Sequence, residues 1–348
     1  MIPWVDIKYR YKQYEYMCRS VYKDFRQLIK INKNEYKKFE DSIFINRIYF
    51  EVTNICNAKC VFCAYPSVQH KKGVMKFKTF KKAVDEYRRA GGNIISFTPT
   101  VGDPLLDPGL LEKIHYVTSL EGIKRVYFYT NGILLGKNKM YEKLIDSGVD
   151  VIHLSIPETN KEMYEKICGV EIYDTLIQNV HKLLSYNESQ DNKVKIKFDF
   201  RPGSYPSEVL KSPDFIEYIQ PFLGDRVWYE FMVDYDNWGG VVKKEDLVGV
   251  MRLRRNQKVK ILPCIRTFDV AILFDGSVRL CACRIKSTEF DDLVIGNIHN
   301  DSLVNIFHSE KTKEIRHKFV KKELPEVCKD CGVFLPIKRK FLTKRLQF

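Results

Sequence analysis

The chain has 348 residues, 45% of them hydrophobic, and carries 58 Lys and Arg against 44 Asp and Glu, a net charge of +14. That length allows about two domains with a sizeable core, and no run approaches the ~18 apolar residues of a membrane span. The start, MIPWVDIKYRYK, shows no secretory leader, so ten cysteines read as metal or redox groups in a reducing cytoplasm rather than as disulfides.

Residues 1–44 interleave aromatic and charged side chains. Tyr14, Cys18, Tyr22, Phe25, Leu28 and Ile29 recur at three and four, predicting a helical extension packed by that face, with Cys18 as buried filler. Apolar runs then predict strands over 47–53, 94–98, 124–129, 151–155, 194–200 and 227–232, alternating with helical patterns. Gly91-Gly92 ends the first of those helices, and Asp107-Pro108 supplies an N-cap and first-turn proline for the second. Such alternation means a parallel sheet with helical crossovers. Six units fall short of the eight of a closed barrel, so the fold class is α/β, a partial TIM-like barrel over 45–235.

Directly after the first strand stand Cys56, Cys60 and Cys63, with Phe62 before the last. Three thiolates on one short loop can hold three irons of a [4Fe–4S] cluster and leave the fourth open. Structural zinc, the bland alternative, usually takes four protein ligands. Turn-like stretches close the next strands: Val101-Gly102-Asp103-Pro104, Thr130-Asn131-Gly132 and His153-Leu154-Ser155. Residues 236–259 read as a linker. A C-terminal module over 260–335 brings Cys264, Cys281, Cys283, Cys328 and Cys331, with a hairpin turn at Phe274-Asp275-Gly276-Ser277. Cys281 and Cys283, two apart on the expected strand, share one face. Zinc and an iron–sulfur cluster suit this set equally on spacing alone. A basic tail, 336–348, follows; the last 38 residues hold 12 Lys and Arg against 4 Asp and Glu.

The Cys-x3-Cys-x2-Cys loop with Phe62 resembles the signature of the radical S-adenosylmethionine (radical SAM) superfamily, and the resemblance covers roughly residues 45–335. It implies a [4Fe–4S] cluster on Cys56, Cys60 and Cys63 with S-adenosylmethionine (AdoMet) at the open iron. It also implies AdoMet contacts from Phe62, Gly102, Asp103, Asn131 and Ser155. The family usually has Gly-Gly-Glu-Pro where this chain has Val101-Gly102-Asp103-Pro104, and Cys168 stands where an arginine is common, which leaves Cys168 structural. Gly276-x4-Cys281 is similar to the family's SPASM and twitch modules. Five cysteines suit the shorter twitch type, with one auxiliary [4Fe–4S] cluster on Cys264, Cys281, Cys328 and Cys331 and Cys283 spare.

The expected activity is reductive cleavage of AdoMet and hydrogen abstraction, in a cytoplasmic dehydrogenase or epimerase of a sugar or aminocyclitol-like molecule. The positive charge suits a phosphorylated or nucleotide-linked substrate. A flavodoxin or ferredoxin is the expected reductant, and nucleic acid is not expected as a partner. The alternatives are a peptide-modifying SPASM maturase and a non-enzymatic iron–sulfur or RNA-binding protein. Glu230, Asp234 and Asp236, near the last strand end, are the catalytic acid or base candidates.

Overall fold

The computed structural model describes residues 3–29, 45–283 and 291–337. Positions 30–44 of the N-terminal extension and nearly all of the expected basic tail lie outside the described residues. The chain opens on helix α1 (Trp4–Ile29). All six predicted barrel strands form: β1 Ile48–Phe50, β2 Ile94–Ser96, β3 Arg125–Thr130, β4 Val151–Leu154, β5 Lys195–Phe200 and β6 Val227–Phe231. They lie side by side in chain order, each parallel to the next.

Between the strands run α2 (Phe77–Arg89), α3 (Leu110–Thr118), α4 (Met140–Asp146), α5 (Lys161–Cys168) and α6 (Tyr173–Ser189). Their apolar residues recur at helical spacing because one stripe must face the sheet. In α2 that stripe is Phe80, Ala83, Val84 and Tyr87, all fully buried, and Phe80 stacks on Phe97 with ring centroids 5.5 Å apart. Helix α3 begins at Leu110, later than Asp107 would set it as N-cap. Asp107 instead accepts from the Gly109 N–H at 2.9 Å and pairs, buried, with Lys113 at 2.7 Å.

The C-terminal part is not a separate sheet. Strand β7 (Val270–Ile272) pairs in parallel with β1, Ile48 opposite Val270, and β8 (Ser277–Leu280) and β9 (Val294–Asn297) continue antiparallel. One nine-stranded sheet results, in the order β6-β5-β4-β3-β2-β1-β7-β8-β9. The predicted hairpin turns at Gly276, whose φ of +88° favours glycine. The barrel is therefore open, and the module docks on its β1 edge.

Short helices α7 (Pro206–Lys211) and α8 (Pro213–Tyr218) follow β5, and α9 (Leu303–His308), α10 (Glu310–Lys321) and α11 (Glu326–Lys329) close the chain. Arg316 of α10 is fully buried between the rings of Phe268 and Phe307, 4.3 and 4.6 Å from their centroids, and donates to the Thr267 carbonyl at 3.1 Å. A buried guanidinium held by cation–π contacts and a backbone acceptor fastens α10 to the segment that carries Cys264.

Over residues 4–22 helix α1 packs on the barrel by a face other than the predicted one, while the side chains of Phe25, Leu28 and Ile29 lie outside those described. Asp6 accepts from the Ser207 backbone N–H (2.9 Å) and hydroxyl (2.5 Å), Gln13 donates to the Val233 carbonyl at 3.0 Å, and Tyr9 is buried. Tyr14, Tyr22 and Cys18 face solvent, so Cys18 is not core filler. Hydrogen bonds made this contact, and hydropathy does not register them.

Candidate functional site

Beyond the C-terminal ends of the strands opens a cavity of about 790 Å³. Its floor is the cysteine loop, which follows β1. That loop is clamped from two sides. Lys59 N–H donates to the Cys168 carbonyl at 2.8 Å and Val61 N–H to Ile167 at 2.9 Å, tying it to the end of α5. On the other side Gly102 has φ +116°, and a Cβ there would stand 2.7 Å from the Thr53 carbonyl and 2.9 Å from Asn54 Cα. Only glycine permits that approach.

Cys56 and Cys63 line the cavity, while the Cys60 thiol sits against that of Cys168. Burial pushes Cys56 and Cys63 up to about 12. The Cys168 hydrogen bond, then burial, drives Cys60 well above the usual thiol range. Soft thiols without a carboxylate among them suit iron–sulfur ligation, so the donor set fits the cluster expected from the sequence. Among the described residues, no three His, Cys, Asp or Glu side chains converge as the ligands of a single ion would.

Of the five expected AdoMet contacts, Phe62, Gly102 and Ser155 line the cavity. Asp103 does not. Its buried carboxylate accepts from Leu105 N–H (3.0 Å), Asn131 N–H (2.7 Å) and the Thr130 hydroxyl (2.9 Å). Burial raises its pKa above the usual carboxylate range even so. It ties the loop after β2 to the loop after β3. Asn131 also faces inward, donating to Asn57 at 2.8 Å and lying 3.8 Å from the Cys56 sulfur. Both are placed to position the cysteine loop.

The acid candidates part in the same way. Glu230 points to solvent and pairs with Lys197 at 2.7 Å. Asp234 and Asp236 line the cavity, Asp234 held by Arg254 at 2.7 Å and Asp236 accepting from Trp238 N–H at 3.0 Å. The expected linker folds over the mouth, where Trp238 donates from its indole to the Phe62 carbonyl at 2.9 Å.

Several lining residues carried no sequence signal. Arg201, just past β5, donates to the Ser155 hydroxyl and stacks 5.3 Å from the Phe62 ring. Its place at a strand end was the available clue. Tyr129 stacks at 4.0 Å on His153, which bonds Asp199 at 2.9 Å inside the barrel. Arg252, Arg255 and Arg266 add positive charge, and Gln13, Tyr16, Met17 and Ser20 of α1 form a roof.

Cys264, Cys281, Cys328 and Cys331 surround a second, small enclosed cavity, so these four thiols suit an auxiliary cluster. Burial pushes Cys264 up to about 12. Cys283 does not line that cavity but the mouth. The strand expected to carry both cysteines on one face ends at Leu280 and Cys281 turns to φ +66°, yet the Cys283 thiol stays in hydrogen-bond contact with that of Cys281. Arg266, Val333 and Phe334 line both cavities, so one layer of side chains separates them.

A model of the Radical SAM superfamily matches residues 50–196, and a model of the SPASM iron-sulfur cluster-binding domain matches residues 264–332. The chain belongs to the radical SAM superfamily. Its AdoMet, [4Fe–4S] cluster and auxiliary iron–sulfur chemistry follow from those two domains. Curated relatives include GTP 3',8-cyclase of Alkaliphilus oremlandii, 30% identical over 35% of this chain and 38% of that one. Another, from Staphylococcus carnosus, is 24% identical over 60% of this chain and 62% of that one. The chain thus matches between about four and six tenths of these relatives' length.

Among solved structures, BtrN in complex with AdoMet and 2-DOIA matches with TM-score 0.54 and 17% identity, covering 83% of this chain and 93% of that one. Streptococcus suis SuiB bound to precursor peptide SuiA matches with TM-score 0.57 and 14% identity, covering 87% and 74%. At such identities the likeness is one of fold. No helix among the described residues is long and apolar enough to cross a membrane.

Proposed function

We propose that this radical SAM protein removes hydrogen from a small anionic substrate, a phosphorylated or nucleotide-linked sugar or aminocyclitol, in a dehydrogenation or epimerisation. The carrying observation is the mouth. Its volume of about 790 Å³ falls in the range of small-molecule sites, and Arg201, Arg252, Arg254, Arg255 and Arg266 outnumber Asp234 and Asp236 there. Relatives named for GTP agree in the charge of what they act on. When bound, the reduced cluster and AdoMet supply the hydrogen-abstracting chemistry.

In this reading Cys56, Cys60 and Cys63 hold the cluster, and Gly102, Phe62 and Ser155 border AdoMet. Arg201 fixes the Ser155 hydroxyl and places a positive charge over the Phe62 ring. Arg252, Arg255 and Arg266 receive the substrate's anionic group, and the α1 roof excludes water. The thin wall of Arg266, Val333 and Phe334 favours dehydrogenation, because it sets the substrate close to the four cysteines of the auxiliary site.

The test is anaerobic turnover with deuterated candidates. Deuterium should pass from a phosphorylated or nucleotide-linked sugar into 5′-deoxyadenosine. Transfer only from a peptide, or only from GTP, would replace this reading with a maturase or a cyclase.

A further inference from the structure

We propose that the outward face of α1 is the interface through which two copies of this chain pair. Along residues 4–22 the solvent side of the helix carries Trp4, Ile7, Tyr11, Tyr14, Cys18 and Val21. The steps between them alternate three and four, the a and d positions of a heptad repeat. They are open: Trp4 is 67% exposed, Tyr11 65%, Tyr14 60%, Val21 52% and Ile7 41%, and Cys18 is exposed too.

The stripe is not waiting for its own barrel. Asp6, Tyr9 and Gln13 on the opposite side already hold the helix down, with Ser20 accepting from Arg255 at 3.0 Å. The outer face is thus an additional feature, about 26 Å long at 1.5 Å per residue. Contiguous apolar surface of that extent on a soluble protein marks an interaction site.

Area and charge both favour a second copy. Large side chains at this exposure leave on the order of 100 Å² each. Six of them give about 600 Å² per copy and about 1,200 Å² for a pair, which reaches the size of a specific interface. On the flanks, Lys8 and Glu15 take e positions and Arg10 a g position. Arg10 is held by its own barrel, donating to the Tyr205 hydroxyl at 2.5 Å and lying 4.8 Å from that ring, whereas an antiparallel pair sets Lys8 opposite Glu15 of the second copy. The face is thus self-complementary in the antiparallel direction. A helix lying on a membrane instead uses a broad apolar sector under a strongly basic face. Here the a and d residues form a coiled-coil seam, with exposed Met17 and Tyr22 on its flanks. Pairing would also brace the roof of the mouth, since Gln13, Tyr16 and Met17 of the same helix line it.

Light scattering on the reconstituted holoprotein over a wide concentration range tests this. The expected mass is about 82 kDa, twice the 41.0 kDa of the chain. Tyr11→Glu with Tyr14→Glu should return it to one chain with iron content unchanged, and maleimide should label Cys18 faster in that variant. If the double variant folds poorly, Trp4→Ser with Ile7→Ser should weaken the dimer without touching the centre of the helix. A monomer at every concentration, or a dimer that survives both variants, overturns the proposal. So does a monomer that floats with phosphatidylglycerol vesicles and loses that binding in the variants, which would make the helix a membrane contact.

Discussion

Asp103 offers the sharpest separation between a residue that touches AdoMet and one that positions the loops around it. In Asp103→Asn one carboxylate oxygen becomes an amide N–H. Either orientation leaves a buried backbone donor, from Leu105 or Asn131, facing another donor. An unpaired buried donor costs about 1–3 kcal/mol. Removing a buried charge whose pKa burial has already raised offsets part of that, leaving about 1–2 kcal/mol. Thr130→Val removes a second contact to the same carboxylate, and its hydroxyl also accepts from Gly132 N–H at 3.1 Å. It should cost about 1.5–3 kcal/mol. Because the two share one hydrogen-bond network, their effects should fall short of adding by about 0.5 kcal/mol or more.

The assay is the melting midpoint of anaerobically reconstituted protein, run beside AdoMet binding. Each single variant should lower the midpoint by a few degrees, at about 2–4 °C per kcal/mol, with AdoMet affinity changed less than about threefold, under 0.7 kcal/mol. An unchanged midpoint in Asp103→Asn beside a tenfold loss of AdoMet affinity, or no effect of Thr130→Val, would refute the positioning role of Asp103.

Two further outcomes follow from buried groups. Burial pushes Glu51 from its ordinary 4.5 up to about 8. The folded protein then holds a proton that the unfolded chain releases between those values, so stability falls as pH rises through that window. Glu51→Gln should flatten the profile and stand ahead of the wild type by on the order of 3 kcal/mol more at pH 8 than at pH 5; parallel profiles would contradict this. At the second cysteine set, Cys281→Ala should lose about four irons of about eight, whereas Cys283→Ala should keep them. Iron lost from Cys283→Ala instead would move the ligand by two positions.

What the sequence made legible follows from range. The six barrel strands and the α2 stripe rest on local periodicity, and the cysteine loop on close spacing, so each stood out. The pairing of β7 with β1 joins residues more than 200 positions apart and leaves no local mark. Arg201 belongs to no motif, and only folding brings it over Phe62. The kink at Cys281 needs a positive φ in a non-glycine residue, which a strand pattern cannot announce. On α1 the most conspicuous aromatics turned out to be the outward ones, because Asp6 and Gln13 make the inward contact.

We propose that Cys56, Cys60 and Cys63, at the mouth of this barrel, hold the cluster at which AdoMet is cleaved. Dithionite-reduced, anaerobically reconstituted protein should form 5′-deoxyadenosine from AdoMet even without substrate. The triple variant with alanine at those three positions should form none, while keeping about four irons at the auxiliary site. Sustained 5′-deoxyadenosine formation by the triple variant would contradict the account.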